Sequence, residues 1–324
     1  MPIMNMIEAI NNALHLSFER DPDVVAFGED SGYYGGVFRA TKGLQEKYGT
    51  ERCFDAPICE QGIAGFAFGL ALYGLKPVAE IQFSDYMYPA FDQIVNEIAK
   101  SRYRSGGQWP VPMVIRTPYG GGINGGLYHS QSPESFYTHA PGIKIVIPSD
   151  PYEAKGLLLA SIKDQNPVLF FEPKKIYRSS KADVPTDYYE IPLSKARIAK
   201  EGSQVTLIGW GAIHHVNMDA AKLAEKEGIS IEVIDLRTII PYDIETLDAS
   251  VKKTGRCVIV HEAPRTSGFG AELSATLHER NMLHLHAPIQ RMTGWDTHYP
   301  FSFDYEYYPN PKRILWAIKQ TLEF

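Results

Sequence analysis

In DAPICEQGIAGFAFGLALYG, residues 55–74, Glu60 is followed by an uncharged run from Gly62 to Gly74. A carboxylate against that apolar stretch has three readings. It is a first-turn acid favoured by the helix dipole. It pairs with a buried Arg or Lys. Or it is held in an apolar cleft, ready to share a proton with a ligand nitrogen. The residues alone leave all three open, the first being the plainest.

His129, in LYHSQSPE, is the second candidate. Imidazole can act as acid or base near neutrality, although an isolated loop histidine is often only a hydrogen-bonded polar residue. It follows GGGING (120–125), which fits GxGxxG. A dinucleotide fingerprint needs a strand before it, a helix after it and an acid about 20 residues on. PMVIR (112–116) supplies the strand, but GLYHSQSPE has no apolar helical period and residues 140–146 contain no acid. The glycines are therefore expected in a mobile loop that lets backbone approach a ligand, or in a plain surface turn. No HExxH exists. HEAPR (261–265) lacks a second His, and HLH (284–286), read as two His on one strand face, lacks further ligands.

These residues need a frame. Apolar, β-branched runs recur at VVAF (24–27), PVAEIQF (77–83), PMVIR, IKIVIP (143–148), PVLFFE (167–172), VTLIGW (205–210), ISIEVIDL (229–236) and RCVIVHEA (256–263). Helical patterns lie between many of them: PAFDQIVNEIAKSRYR (89–104), PYEAKGLLLASIKD (151–164) behind the cap Ser149-Asp150, and HHVNMDAAKLAEKEG (214–228), which ends in Gly. Alternation of this kind predicts an α/β protein with mainly parallel sheets. Ligands then bind beyond the carboxyl ends of the strands. That singles out GED (28–30), the SDYMYP turn (84–89) and the glycine loop from 118. The polar, proline-punctuated KKIYRSSKADVPTDYYEIPL (174–193) reads as a linker.

The totals agree with two domains: 324 residues, 44% hydrophobic, net charge -6. Lys and Arg are scattered, so no nucleic-acid partner is expected. Cys53, Cys59 and Cys257 have no CxxC spacing, which argues for a reduced, cytoplasmic protein without disulfides or zinc. MPIMNMIEAINNALHLSFERDPDV reads as an amphipathic helix, not a signal peptide, and no 18-residue apolar run predicts a membrane span.

Over its whole length the chain resembles the β subunit of the thiamine-diphosphate-dependent 2-oxo acid dehydrogenases, the decarboxylating first component. The stretches that carry the resemblance are GEDSGYYGGVFRATKGLQEKYG, DAPICEQGIAGFAFGLALYGLKPVAEIQFSDYMYPAFDQIVNEIAKSRYRSGG, LYHSQSPESFYTHAPGIKIVIPSDPYEAKGLL, NPVLFFEPKKIYRS, EVIDLRTIIPYDIETL and KTGRCVIVHEAP. SDYMYPAFDQI, HSQSPE and FFEPKKIYR look more like branched-chain members (2-oxoisovalerate dehydrogenase) than pyruvate or acetoin ones.

The resemblance implies a transketolase-like pyrimidine-binding domain (1–180), a linker (181–194) and a transketolase C-terminal-like domain (195–324). It implies that Glu60 binds the aminopyrimidine ring of thiamine diphosphate, in a pocket with Glu29, Ile58, Cys59, Gln82 and Tyr86. It assigns Phe83, Ser84, Tyr86, Met87, Tyr88 and Pro89 to the substrate side, and gives His129 the substrate carboxylate and proton transfer around lipoyl acylation. It also implies a potassium site from Val111, Met113, Val114, Ser161, Asp164 and Asn166. Ser161 stands where the branched-chain pattern has Cys, and a plain helix-terminal turn is the competing reading there. The GDG motif that holds diphosphate and Mg2+ in this group is absent, because GED is followed near 54–58 only by FDAPI. The chain thus reads as half of a site. The resemblance places the other half on an α subunit in an α2β2 heterotetramer, with a lipoyl-bearing acyltransferase as further partner and a small 2-oxo acid as substrate. The uncharged helix 62–74 is a candidate for the subunit interface. A scaffold protein in which Glu60 only caps a helix is the non-enzymatic alternative.

Overall fold

The computed structural model describes residues 1–324. Its strands are β1 (Ile3–Asn5), β2 (Val24–Gly28), β3 (Cys53–Asp55), β4 (Lys76–Glu80), β5 (Val114–Tyr119), β6 (Lys144–Val146), β7 (Val168–Pro173), β8 (Lys181–Asp183), β9 (Arg197–Lys200), β10 (Val205–Gly209), β11 (Ile231–Asp235), β12 (Thr238–Ile240), β13 (Cys257–Pro264) and β14 (Gln290–Gly294). The chain forms two units. One comprises Met1–Tyr119 and Phe136–Leu193, the other Gly120–Ser135 and Ser194–Phe324.

In the first unit the strands run parallel in the order β6-β7-β5-β4-β2-β3. The strands β2, β5 and β7 are buried at every position, so they read as unbroken apolar runs rather than alternating ones. Helix Pro151–Lys163 starts where the sequence predicts: the Glu153 amide donates to the Asp150 carboxylate at 2.8 Å, with proline in the first turn. It packs against helix Met6–Arg20, whose Asn5 and Glu8 close a reciprocal capping box.

The region expected as a linker is strapped down rather than loose. Its β8 pairs antiparallel with β1. The Lys155 amine donates to the Asp187 carbonyl at 2.9 Å and to the Pro185 carbonyl, and the Ile191 amide donates to the Gly156 carbonyl at 3.1 Å. Backbone groups in a connector that packs on a domain must find partners, and these supply them.

The second unit has the order β14-β13-β10-β11-β9, parallel except for β9. Helices Ile213–Glu225 and Pro311–Leu322 close one core with Val205, Leu207, Val233, Val258 and Val260. The edge strands β3 and β14 have no apolar signature (CFD, QRMTG) and were not foreseen from the sequence. No helix is long and apolar enough to cross a membrane.

Candidate functional site

The chain passes from β2 to β3 on one side, while β4 lies on the other. Loops leaving β2 and β4 therefore part at their carboxyl ends and open a crevice, the usual ligand position in a parallel sheet. Glu29 directly follows β2. Ile58, Cys59 and Glu60 follow β3. Gln82 to Tyr86 follow β4. The Gln82 amide ties two of these loops together, donating to the Glu29 carbonyl at 3.4 Å and the Asp30 carboxylate at 3.5 Å.

Glu29 is the unusual member. It is 6% exposed and its Oε1 has no hydrogen-bond partner. A buried polar atom without a partner costs about 1–3 kcal/mol. Burial raises its proton affinity above the ordinary carboxylate range, and the charges of Glu60, Asp30 and Glu80 push the same way. Glu60 opens helix Glu60–Tyr73 behind Cys59 and is half-buried; no side chain caps that helix. Tyr86 closes a short turn at Ser84–Tyr86, its ring edge-on to Phe83 at 6.0 Å. Its phenol is pushed up by burial and then by Asp85, Glu60 and Glu29. Glu29, Glu60 and Tyr86 thus share one electrostatic neighbourhood. Ile58 and Cys59 are exposed beside them, where backbone is open to a ligand.

Of the residues expected on the substrate side, Phe83, Tyr86, Tyr88 and Pro89 keep some accessible surface. Phe83 is braced by Phe38 at 5.7 Å and by the Lys174 ammonium over its ring at 5.4 Å. Tyr88 meets Phe136 edge-on at 5.6 Å. Ser84 and Met87 are fully buried. They pack the base of the turn, which corrects the expectation that their side chains line a substrate pocket.

Beneath the crevice lies a feature the sequence reading missed. Arg116 on β5 forks onto Glu172 of β7 at 2.8 and 2.9 Å and onto Glu80 at the end of β4, and Tyr177 donates to Glu172 at 2.5 Å. All three charged side chains are buried. Burial lifts the Glu80 carboxyl despite the guanidinium beside it. The signal in the sequence was a charge near the end of each of three apolar strands, which only the sheet order brings together.

His129 belongs to the segment Gly120–Ser135, which folds with the second unit. GGGING opens no helix, only a short turn at Gly126–Tyr128, and the next helix, Glu134–Thr138, starts well downstream, which removes the dinucleotide reading. The glycines serve close packing by the chain itself. A Cβ on Gly121 would fall 2.1 Å from the Tyr299 hydroxyl, one on Gly120 1.9 Å from Glu262, and one on Gly126 2.2 Å from Phe301. Gly126 also has φ +62. The Gly122 amide donates to Tyr299 at 3.2 Å and Ser132 to Glu262 at 2.8 Å. The expected mobile loop is therefore fastened along its length.

The segments expected to hold potassium do meet: the Val111 amide donates to the Gln165 carbonyl at 3.1 Å and the Val168 amide to the Met113 carbonyl at 3.0 Å. Their side-chain oxygens are taken. Asp164 is paired with Lys144 and bonded by Asn166 at 2.8 Å, Arg102 donates to Asn166 at 2.5 Å, and Ser161 donates to the Leu157 carbonyl at 2.7 Å. The carbonyls of Val111, Met113, Ser161 and Gln165 likewise accept backbone amides, each keeping a second lone pair open to a cation. No cluster of three or more His, Cys, Asp or Glu side chains could hold a metal ion, and HLH lies in a loop, not on a strand.

Residues 3–180 match the transketolase pyrimidine-binding domain and 194–314 the transketolase C-terminal domain. Among curated proteins, the mitochondrial 2-oxoisovalerate dehydrogenase subunit beta of Dictyostelium discoideum is 58% identical, over 99% of this chain and 87% of that protein. A pyruvate dehydrogenase E1 component subunit beta of Staphylococcus epidermidis is 50% identical over 100% of both. Among solved structures, a split-gene transketolase in an inactive β4 tetramer superposes with TM-score 0.78 at 22% identity, over 99% of this chain and 98% of its own. That last likeness concerns the fold.

Proposed function

This chain belongs to the 2-oxo acid dehydrogenase β subunits, built from transketolase-type pyrimidine-binding and C-terminal domains, and on that premise we propose that it decarboxylates a branched-chain 2-oxo acid together with an α subunit and passes the acyl group to a lipoyl group on an acyltransferase. The observation that carries this reading is the buried Glu29 oxygen without a donor, in one crevice with Glu60 and Tyr86. Such a site is completed by a ligand that brings N–H groups. The aminopyrimidine end of thiamine diphosphate fits that requirement.

When bound, thiamine diphosphate supplies the electron sink that decarboxylation needs. Glu60 accepts a hydrogen bond from a pyrimidine nitrogen, a charge-assisted contact that strengthens where water is excluded. Glu29, Gln82, Tyr86 and the backbone of Ile58 and Cys59 orient the ring. Phe83, Tyr86, Tyr88 and Pro89 offer the apolar surface that suits a branched side chain. His129 holds the substrate carboxylate and moves a proton during acyl transfer. Carbonyls at 111–114 and 161–166 take a potassium ion.

The diphosphate and its Mg2+ fall to the α partner in an α2β2 assembly, since this chain has neither a GDG motif nor a cluster of metal-ligating side chains. The helix after Glu60 supports such a partner: Phe66 is 51% exposed and Tyr73 87%, apolar surface that a subunit interface would cover. The 58% against 50% identity favours the branched-chain substrate over pyruvate. The test is carbon dioxide release by the co-purified α and β chains. Faster turnover on 3-methyl-2-oxobutanoate than on pyruvate is expected. The reverse order would make pyruvate the substrate, and no release from any 2-oxo acid would remove the reading.

A further inference from the structure

A cavity of about 800 Å³ lies in the second unit, between the free edge of β14, helix Pro311–Leu322 and the chain at Arg265. It falls within the range of about 300–1,000 Å³ typical of small-molecule sites. Two indoles line it, Trp295 and Trp316, and both are more than half exposed. So do four cations, Arg265, Arg291, Lys312 and Arg313, against one carboxylate, Asp296. That carboxylate is already bonded by the Thr266 amide at 2.8 Å and its hydroxyl at 2.6 Å. In a chain of net charge -6, this is a local excess of positive charge that Asp296, beside Arg265 and Arg291, and Glu306, beside Arg313, offset only in part.

Two details show that the excess is unfavourable for the fold alone. Lys312 and Arg313 stand in the first turn of a twelve-residue helix that carries no acid there, the end where the helix dipole disfavours cations. Arg265 and Arg291 are crowded together, each donating to the other's backbone carbonyl, at 2.6 and 3.1 Å. Burial and the neighbouring guanidinium of Arg265 weaken the hold of Arg291 on its proton. Arg313 is committed to carbonyls, including that of Thr293 at 3.0 Å, and lies over Trp295 at 4.5 Å. It builds the wall, and leaves Arg291, Lys312 and Arg265 with donors to offer.

We propose that this cavity binds a nucleoside phosphate, the base against the indole of Trp316 and the phosphates on Arg291 and Lys312. Flat rings stack on indole, and phosphate is matched by guanidinium forks and the ammonium of Lys312. A bare anion would leave the indoles unused, and an extended peptide would find the outward carbonyls of Arg291 and Thr293 on β14 already taken by Arg265 and Arg313.

The test is calorimetric titration of the co-purified α and β chains with ADP, counted per β chain, in saturating thiamine diphosphate and magnesium so that the catalytic crevice is closed to the probe. One saturable site per chain is expected. Trp316→Leu and Arg291→Gln should each weaken it about tenfold or more, while Lys319→Met, on the same helix but outside the cavity, should leave it unchanged. Should a variant fail to fold, competition on the unaltered protein decides: pyrophosphate should bind at least about tenfold more weakly than ADP. No saturable ADP binding, binding indifferent to both cavity substitutions, or pyrophosphate as tight as ADP would overturn the proposal.

Discussion

The two units solve the same architectural problem and finish their sheets in opposite ways. In the first, the carboxyl ends of β2 and β4 gather Glu29, Asp30, Glu60 and Glu80, and leave a buried Glu29 oxygen unbonded. In the second, the corresponding region holds Trp210, 2% exposed, stacked on His261 at 5.5 Å and edge-on to Phe269 at 6.0 Å. Glycine at 268 and 270 lets the backbone close on that imidazole, since a Cβ there would come within 2.6 and 2.7 Å of it. The second unit also buries acids at this edge, Asp235 at the end of β11 and Glu262 on β13, but each has a partner: Arg197 pairs with Asp235 at 3.1 Å and Ser132 donates to Glu262 at 2.8 Å. The crowding of like charges in the first unit is a departure from good packing, and such departures gather where function needs them.

The comparison is broken most directly at Glu60. Glu60→Gln keeps size and removes the charge. If the first unit's acids are there for chemistry, decarboxylation with an artificial electron acceptor should fall by about 10²–10⁴-fold, with thermal stability and assembly with the α partner unchanged. Near-normal turnover would make Glu60 an ordinary first-turn acid, and the contrast between the two edges would lose its meaning.

How far this contrast was legible in the sequence depends on how local each signal is. The apolar runs became strands nearly where they stood, because a strand buried on both faces needs little besides continuous β-branched residues: VTLIGW supplied β10 and PVLFFE supplied β7. Glu60 was legible because its oddity lies against its own neighbours. The partnership of Glu80, Arg116 and Glu172 was not, since it depends on β4, β5 and β7 lying side by side across 36 and 56 residues of separation. The glycine loop was misjudged for a related reason. Its small residues answer to Tyr299 and Phe301, far along the chain and invisible to any local pattern. The exposure of Met87 could not be inferred either, because a turn's inward residue depends on what packs beneath it.

A second test sharpens the comparison below the crevice. Arg116 is the one cation set among the first unit's buried acids at this level. Arg116→Met leaves Glu80 and Glu172 buried without it, and breaking a buried pair in this way costs about 3–5 kcal/mol. Urea unfolding should show that loss at neutral pH. The variant should regain part of it as pH falls, because its buried carboxylates then bind protons more readily than those of the unfolded chain. A loss below about 1 kcal/mol would mean that the triad behaves like a surface pair and does not support the loops above it.

The smallest expected effect lies in the second unit, and it concerns whether the imidazole stacked on Trp210 stays neutral. Burial pushes His261 down from 6.5 to about 4, a contact with the Ala263 backbone opposes this weakly, and the charges of Arg291 and Arg265 add to the depression. Above pH 6.5 the imidazole is uncharged in both states and adds no pH dependence. Below it the unfolded chain takes up a proton that the folded chain refuses, so stability falls as pH drops and the loss is complete near pH 4. A shift of this size amounts to about 3 kcal/mol. The quantity to measure is the unfolding free energy of the native chain minus that of His261→Phe, at intervals from pH 7 to pH 4. Acids elsewhere titrate in both proteins and cancel in the difference. That difference should decline steadily below pH 6.5. A flat difference would mean that the imidazole carries its charge inside the fold, and the rings of Trp210 and Phe269 would then cover a buried ion rather than exclude one.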